Sequence, residues 1–168
     1  PNSDVVLAIT SNDTGETTVT SALTFTNANW NTAQTVTVTG VDDNIIDGSV
    51  NSTLTVAVVD AASDDNFDAV ANQTVTATTT DNDVAGLTIA QSGGSTSVAE
   101  TGSTDTFAIV LNAQPSSNVV LSLSSSDTGE STVTSLLTFT NTNWDTPQTV
   151  TVTGVDDNLV DGNQSSTI

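Results

Sequence analysis

The stretch PNSDVVLAITSNDTGETTVTSALTFTNANWNTAQTVTVTGVDDNIIDG, beginning at Pro1, returns 114 residues later as PSSNVVLSLSSSDTGESTVTSLLTFTNTNWDTPQTVTVTGVDDNLVDG, beginning at Pro115. The copies align without a gap as far as Ile168, which falls on Leu54, and 37 of the 54 aligned pairs are identical. Duplication of one domain accounts for this pattern. A 114-residue period divides the 168-residue chain mid-repeat. Residues 1–83 read as the C-terminal part of one repeat and 84–168 as the N-terminal part of the next. The boundary falls near Asp83–Val84, in TTTDNDVAGLTIA. A chain cut in this way is expected to be a window onto a longer tandem array.

Within one period the apolar residues alternate, so the elements read as half-buried antiparallel strands. LTIAQ at 87–91 and TSVAE at 96–100 form a first strand split by SGGS, and TDTFAIVL at 104–111 puts Phe107, Ile109 and Leu111 on one face. NVVLSL at 118–123, STVTSLLTFT at 131–140 and QTVTVTGV at 148–155 follow, the last with Val150 and Val152 inward and its Thr residues outward. The final two strands, STLTVAVVD at 52–60 and QTVTATTT at 73–80, occur only in the first copy. About seven short strands per period, separated by Gly, Asp, Asn and Ser turns, point to an all-β fold of tandem immunoglobulin-like antiparallel β-sandwiches. The Thr faces suit a pleated, solvated surface without adding charge.

Charge narrows the function. The chain has twenty Asp and Glu, no Lys, Arg or His, and a net charge of −20. Nucleic acid and anionic membrane surfaces are therefore excluded as partners, because both need cationic contacts. Cations remain the obvious partners. Without cysteine the core must come from packing rather than disulfides. No run is long enough to insert into a membrane. With no His, Cys, Lys or Tyr, the usual acid–base and nucleophile–base constellations cannot be assembled, so an enzyme is not expected.

The acids gather at strand ends. Asp42, Asp43 and Asp47 lie in GVDDNIIDG, Asp156, Asp157 and Asp161 in its duplicate, Asp81 and Asp83 in TTTDNDVAG, and Glu100 after the first strand. Loops that converge at one pole of a sandwich would bring these carboxylates together. Such a set of hard oxygen donors suits Ca²⁺, which takes six to eight of them. Solvated acidic loops are the competing reading.

The order SVAETG, TFAIVL, TVTVTGVDDN, TTTDND resembles the Calx-β domain over essentially the whole chain, and LTFT..NW.T.QTVTVTGVDDN..DG resembles its bacterial branch. The resemblance implies tandem Calx-β-like sandwiches of a large bacterial extracellular or cell-surface protein. It also implies calcium ligands at Glu100, at Asp156, Asp157 and Asp161 (Asp42, Asp43 and Asp47 in the other copy), and at Asp81 and Asp83. The expected role is a structural stalk, filament, surface coat or adhesin rigidified by calcium. Its partners would be neighbouring repeats of the same chain; self-assembly into a filament through edge strands is a further, separate reading. The alternative is an adhesive module for a surface glycan or protein.

The remaining acids have simpler readings. Asp13 and Glu16 in NDTGE, and Asp127 and Glu130 in SDTGE, read first as polar turns around Gly, with a ligand role as the lesser alternative. Asp60, Asp64, Asp65 and Asp68 flank a loop that is either solvated or a second ion site. Trp30 and Trp144, one per copy, read as plugs for the sandwich end rather than as a sugar-stacking platform.

Overall fold

The computed structural model describes residues 1–168 as strands and turns, with only three single 3-10 turns. The chain forms two compact units, one of Pro1–Asp43 and Asp47–Asn82, the other of Asn44–Ile46 and Asp83–Ile168. No helix is long and apolar enough to cross a membrane.

The first unit contains β1 (Val5–Ser11), β2 (Thr17–Val19), β3 (Ala22–Phe25), β4 (Val38–Gly40), β5 (Val50–Val58) and β6 (Gln73–Thr79). A four-stranded antiparallel sheet runs in the order β3-β1-β5-β6, and β2 pairs with β4 in a separate ladder. Alternation buries Val5 and Ile9 of β1 and Leu54 of β5. The second unit contains β7 (Leu87–Gln91), β8 (Thr104–Leu111), β9 (Val119–Ser122), β10 (Ser131–Val133), β11 (Leu136–Phe139) and β12 (Gln148–Gly154). Its sheets are β10-β12-β8-β7 and the pair β11-β9, all antiparallel. Phe107, Ile109, Val150 and Val152 from the first sheet meet Leu137 and Phe139 from the second in one core. Face-to-face antiparallel sheets with an inward apolar and an outward Thr face make this an all-β architecture of the sandwich kind.

The expected strands at 87–91 and 104–111 form with those limits, and 131–140 resolves into the two short strands β10 and β11. Residues 96–100 do not form a strand. The Ser97 N–H donates instead to Asp105 Oδ2 at 2.8 Å, and the Ser92 hydroxyl holds the other oxygen of that carboxylate. The N–H that a ladder would need is therefore spent on a side chain. Val98 alone packs against the core from this segment.

The duplicated TVTVTG behaves differently in its two settings. In the second unit it belongs to the seven-residue β12, flanked by β8 and β10; in the first only the three residues of β4 pair, and only with β2. A ladder supported on one side alone is shorter.

Trp30 departs from the expectation of a buried plug, being 60% exposed. Trp144 is half-buried, and its carbonyl accepts the Leu111 N–H at 3.1 Å.

Phe139 is fully buried, whereas its counterpart Phe25 is half-buried. Phe139→Ala should destabilise the second unit by about 3–5 kcal/mol, and Phe25→Ala should cost the first unit distinctly less. Urea unfolding followed at Trp144 for one variant and Trp30 for the other measures both.

Candidate metal centre

Each acidic site grows from a short ladder. In the first unit Thr17 of β2 stands opposite Gly40 of β4, and the pairing continues one bond further, from the Val41 N–H to the Glu16 carbonyl at 2.8 Å. Glu16 is thereby held beside the segment that carries Asp42 and Asp43. The chain then turns at Gly48, whose φ of +76° is a conformation open mainly to glycine. The Gly48 N–H donates to Asp81 Oδ2 at 2.8 Å. One carboxylate oxygen from each of Glu16, Asp43 and Asp47 then lies within 4.8 Å of the others.

The second unit repeats the construction. Ser131 stands opposite Gly154, the Val155 N–H donates to the Glu130 carbonyl at 2.9 Å, and Gly162 turns at φ +75°. Glu130, Asp157 and Asp161 form the matching triad, again within 4.8 Å. Asp157 Oδ1 also accepts the Leu159 N–H at 2.7 Å.

The triads are electrostatically strained. Partial burial pushes the Glu16 carboxyl above its ordinary value, and the charges of Asp47, Asp43 and Asp13, with a hydrogen bond shared with Asp47, push it further. Glu130 is raised in the same way, first by partial burial and then by Asp161, Asp157, Asp127 and Glu100. No side chain in the protein carries a compensating positive charge. Three carboxylates can present up to about six hard oxygens, which fits Ca²⁺; the absence of nitrogen and sulfur donors argues against Zn²⁺.

Of the residues singled out from sequence, Asp43, Asp47, Asp157 and Asp161 come together in the triads. Asp42 and Asp156 are exposed neighbours outside them. Asp81 caps the Gly48 turn, and Asp83 is half-buried in the second unit, outside its triad. Glu100 is exposed and outside the triad, but its charge is among those raising Glu130.

Glu16 and Glu130 are the members that turn chemistry concealed. Asp13 and Asp127 do form the turns, accepting the Gly15 and Gly129 N–H groups at 3.1 and 3.0 Å. Each Glu is the last residue of its turn, immediately before the strand that pairs with the one entering GVDDN. Its identical place in both copies was the available signal.

Gly154 positions the loop that carries Glu100. A Cβ at this position would lie 2.1 Å from the Ala99 carbonyl oxygen. The loop is tied down by Gly154 N–H to Ser103 O at 3.0 Å and Gly102 N–H to Ala99 O at 3.1 Å. A Cβ at the counterpart Gly40 would meet only the Thr79 side chain, its methyl at 3.5 Å and its hydroxyl at 4.0 Å.

Asp64, read from sequence as part of a solvated or ion-binding loop, is a buried clamp, 4% exposed. It accepts N–H groups from Asn2 at 2.5 Å, Ser3 at 3.2 Å and Asn66 at 3.1 Å, with the Asn66 side-chain amide at 2.7 Å. These donors, Asn66 foremost, lower its pKa to about 2. Nearby Asp68 is raised, chiefly by partial burial and then by Asp60, with which it shares a hydrogen bond.

Gly154→Ala must push the 99–103 loop aside and should cost about 1–3 kcal/mol, while Gly40→Ala should be nearly neutral; thermal unfolding of the two variants checks the contrast. For Asp64 the depressed pKa means a stabilisation present above its ordinary value of 3.8 and lost as pH falls through about 2. Asp64→Asn should therefore lower the first unit's urea midpoint at pH 7, and the two proteins should converge below pH 2. Unfolding curves across that range decide it.

No family model, curated protein or solved structure matches the chain.

Proposed function

We propose that the chain is a structural repeat segment of a bacterial extracellular stalk, filament, surface coat or adhesin. In this reading its domains are immunoglobulin-like, of the Calx-β kind, and calcium stiffens them. The observation that supports it best is the recurrence of one carboxylate triad, Glu16–Asp43–Asp47 and Glu130–Asp157–Asp161, at the same place in both units of a chain without cationic side chains. Each triad joins the start of a strand to both sides of an acidic loop. An ion held there would staple the loop to the sheet within its unit and neutralise charges that otherwise repel. Extracellular calcium modules bind in the range of roughly 10⁻⁴–10⁻³ M, a class that three part-exposed carboxylates suit. Repetition supplies length, and neighbouring repeats are the natural partners.

Calorimetric titration with Ca²⁺ should reveal two sites. With free calcium at roughly ten to a hundred times the dissociation constant, each unit should gain about 1.4–2.7 kcal/mol, read as a rise in unfolding temperature that chelator reverses. Glu130→Gln separates the contributions. Because the Glu130 pKa is raised in the folded state, its charge opposes folding above that pKa, so the calcium-free variant should be more stable at pH 7 than the parent. The same variant should lose the calcium response of the second unit. Identical melting in calcium and in chelator would defeat the calcium part of the reading.

A further inference from the structure

The last strand of the first unit reaches the acidic pole at two points. Where β5 pairs with β6, Val50 stands opposite Thr79. Carried two residues further, the same antiparallel register sets Gly48 opposite Asp81, and there the Gly48 N–H donates to Asp81 Oδ2 at 2.8 Å. The Thr79 side chain turns towards the ladder of β2 and β4. Its hydroxyl donates to the Glu16 carbonyl at 2.8 Å and lies 3.0 Å from the hydroxyl of the buried Thr17. Its methyl lies 3.5 Å from where a Cβ on Gly40 would stand. Since β6 belongs to the four-stranded sheet and β2 and β4 to a separate ladder, Thr79 ties one to the other. The frame of the triad is thus held twice, at Glu16 through its own backbone and at Asp47 through the glycine that follows it.

We propose that Thr79 and Asp81 are the positioning residues of the first metal centre, and that Asp81 acts through the Gly48 turn rather than as a ligand. The oxygens that converge are those of Glu16, Asp43 and Asp47, without Asp81. Asp47 reaches the other two because the chain turns at Gly48 with φ +76°, and the Asp81 carboxylate fixes the N–H of that turn. Three carboxylates that repel one another spread when their frame loosens. Ligands that spread must be ordered again at the expense of the ion's affinity. Outer contacts of this kind are worth roughly 10–100-fold in metal binding. The calcium part of this proposal rests on the function proposed above; the placement of Glu16 and Asp47 by Thr79 and Asp81 does not.

The test uses the full chain and follows the amide signals of Gly48 and Gly162 by NMR, one reporter for each triad. No substitution falls in the second unit, so Gly162 is the internal reference and should titrate with Ca²⁺ as in the parent throughout. In chelator, Asp81→Ala should speed exchange of the Gly48 amide by roughly tenfold or more, whereas Asp81→Asn, which keeps an oxygen acceptor, should leave it near the parent. With Ca²⁺, Asp81→Ala should raise the dissociation constant read at Gly48 by roughly tenfold or more, and Asp81→Asn should recover most of that loss. Thr79→Val, which removes the hydroxyl at nearly constant shape, should weaken the same site, and Thr79→Ser should restore it. Asp81→Asn binding as weakly as Asp81→Ala would make the carboxylate a ligand and overturn the positioning role. Gly48 exchange in Asp81→Ala equal to the parent's would overturn it without reference to calcium. A parent chain silent to Ca²⁺ at both glycines defeats the calcium reading instead, and the exchange rates alone then decide the placement.

Discussion

The backbone hydrogen bond from the Val41 N–H to the Glu16 carbonyl, repeated from Val155 to Glu130, is the joint on which each acidic pole is assembled. It extends a short antiparallel ladder past a glycine and so holds a glutamate against a loop that supplies the other two carboxylates of the triad. Two like charges about 4 Å apart cost about 1 kcal/mol in water and about 4 kcal/mol at the effective dielectric near a protein surface. The ladder and the core beneath it must outweigh that repulsion, since no cationic side chain exists to relieve it. Partial burial first, and then this repulsion, raise the Glu16 and Glu130 carboxyls, and a divalent cation would turn the repulsive part into attraction.

The duplication lets one sequence be compared with itself in two surroundings. TVTVTG forms a long ladder where β8 and β10 flank it and a short one where only β2 does. Gly154 is required by the Ala99 carbonyl, whereas Gly40 has room to spare. Identical residues thus carry different structural loads, set by which neighbours the surrounding chain provides.

Small substitutions between the copies are also legible. In the second unit the Ser166 hydroxyl bonds Ser131, which in turn bonds Ser125. In the first unit Thr17 stands in place of Ser131 and bonds Thr79 instead, and Thr79 also donates to the Glu16 carbonyl. Ser52, the counterpart of Ser166, is left buried with its hydroxyl unpaired.

The duplication, the two-residue alternation that marks most of the strands, and the gathering of acids at strand ends are legible in the sequence alone, whereas the burial of Val150 and Val152 is not, since Val36 and Val38 in the identical stretch are half-buried and exposed. Each of the legible features is local: side-chain direction along a strand and turn chemistry follow from neighbours in the chain. Which acids meet depends on the three-dimensional fold. Glu16 and Glu130 joined the triads because strand pairing brought distant segments together, while adjacent Asp42 and Asp156 fell outside. It likewise made Asp64 a clamp, by delivering the Asn2 and Ser3 N–H groups to it from the other end of the first unit, and it dissolved the expected strand at 96–100 through the reach of Asp105. Register and long-range hydrogen bonding depend on which segments lie side by side, and a linear pattern of residues does not specify that.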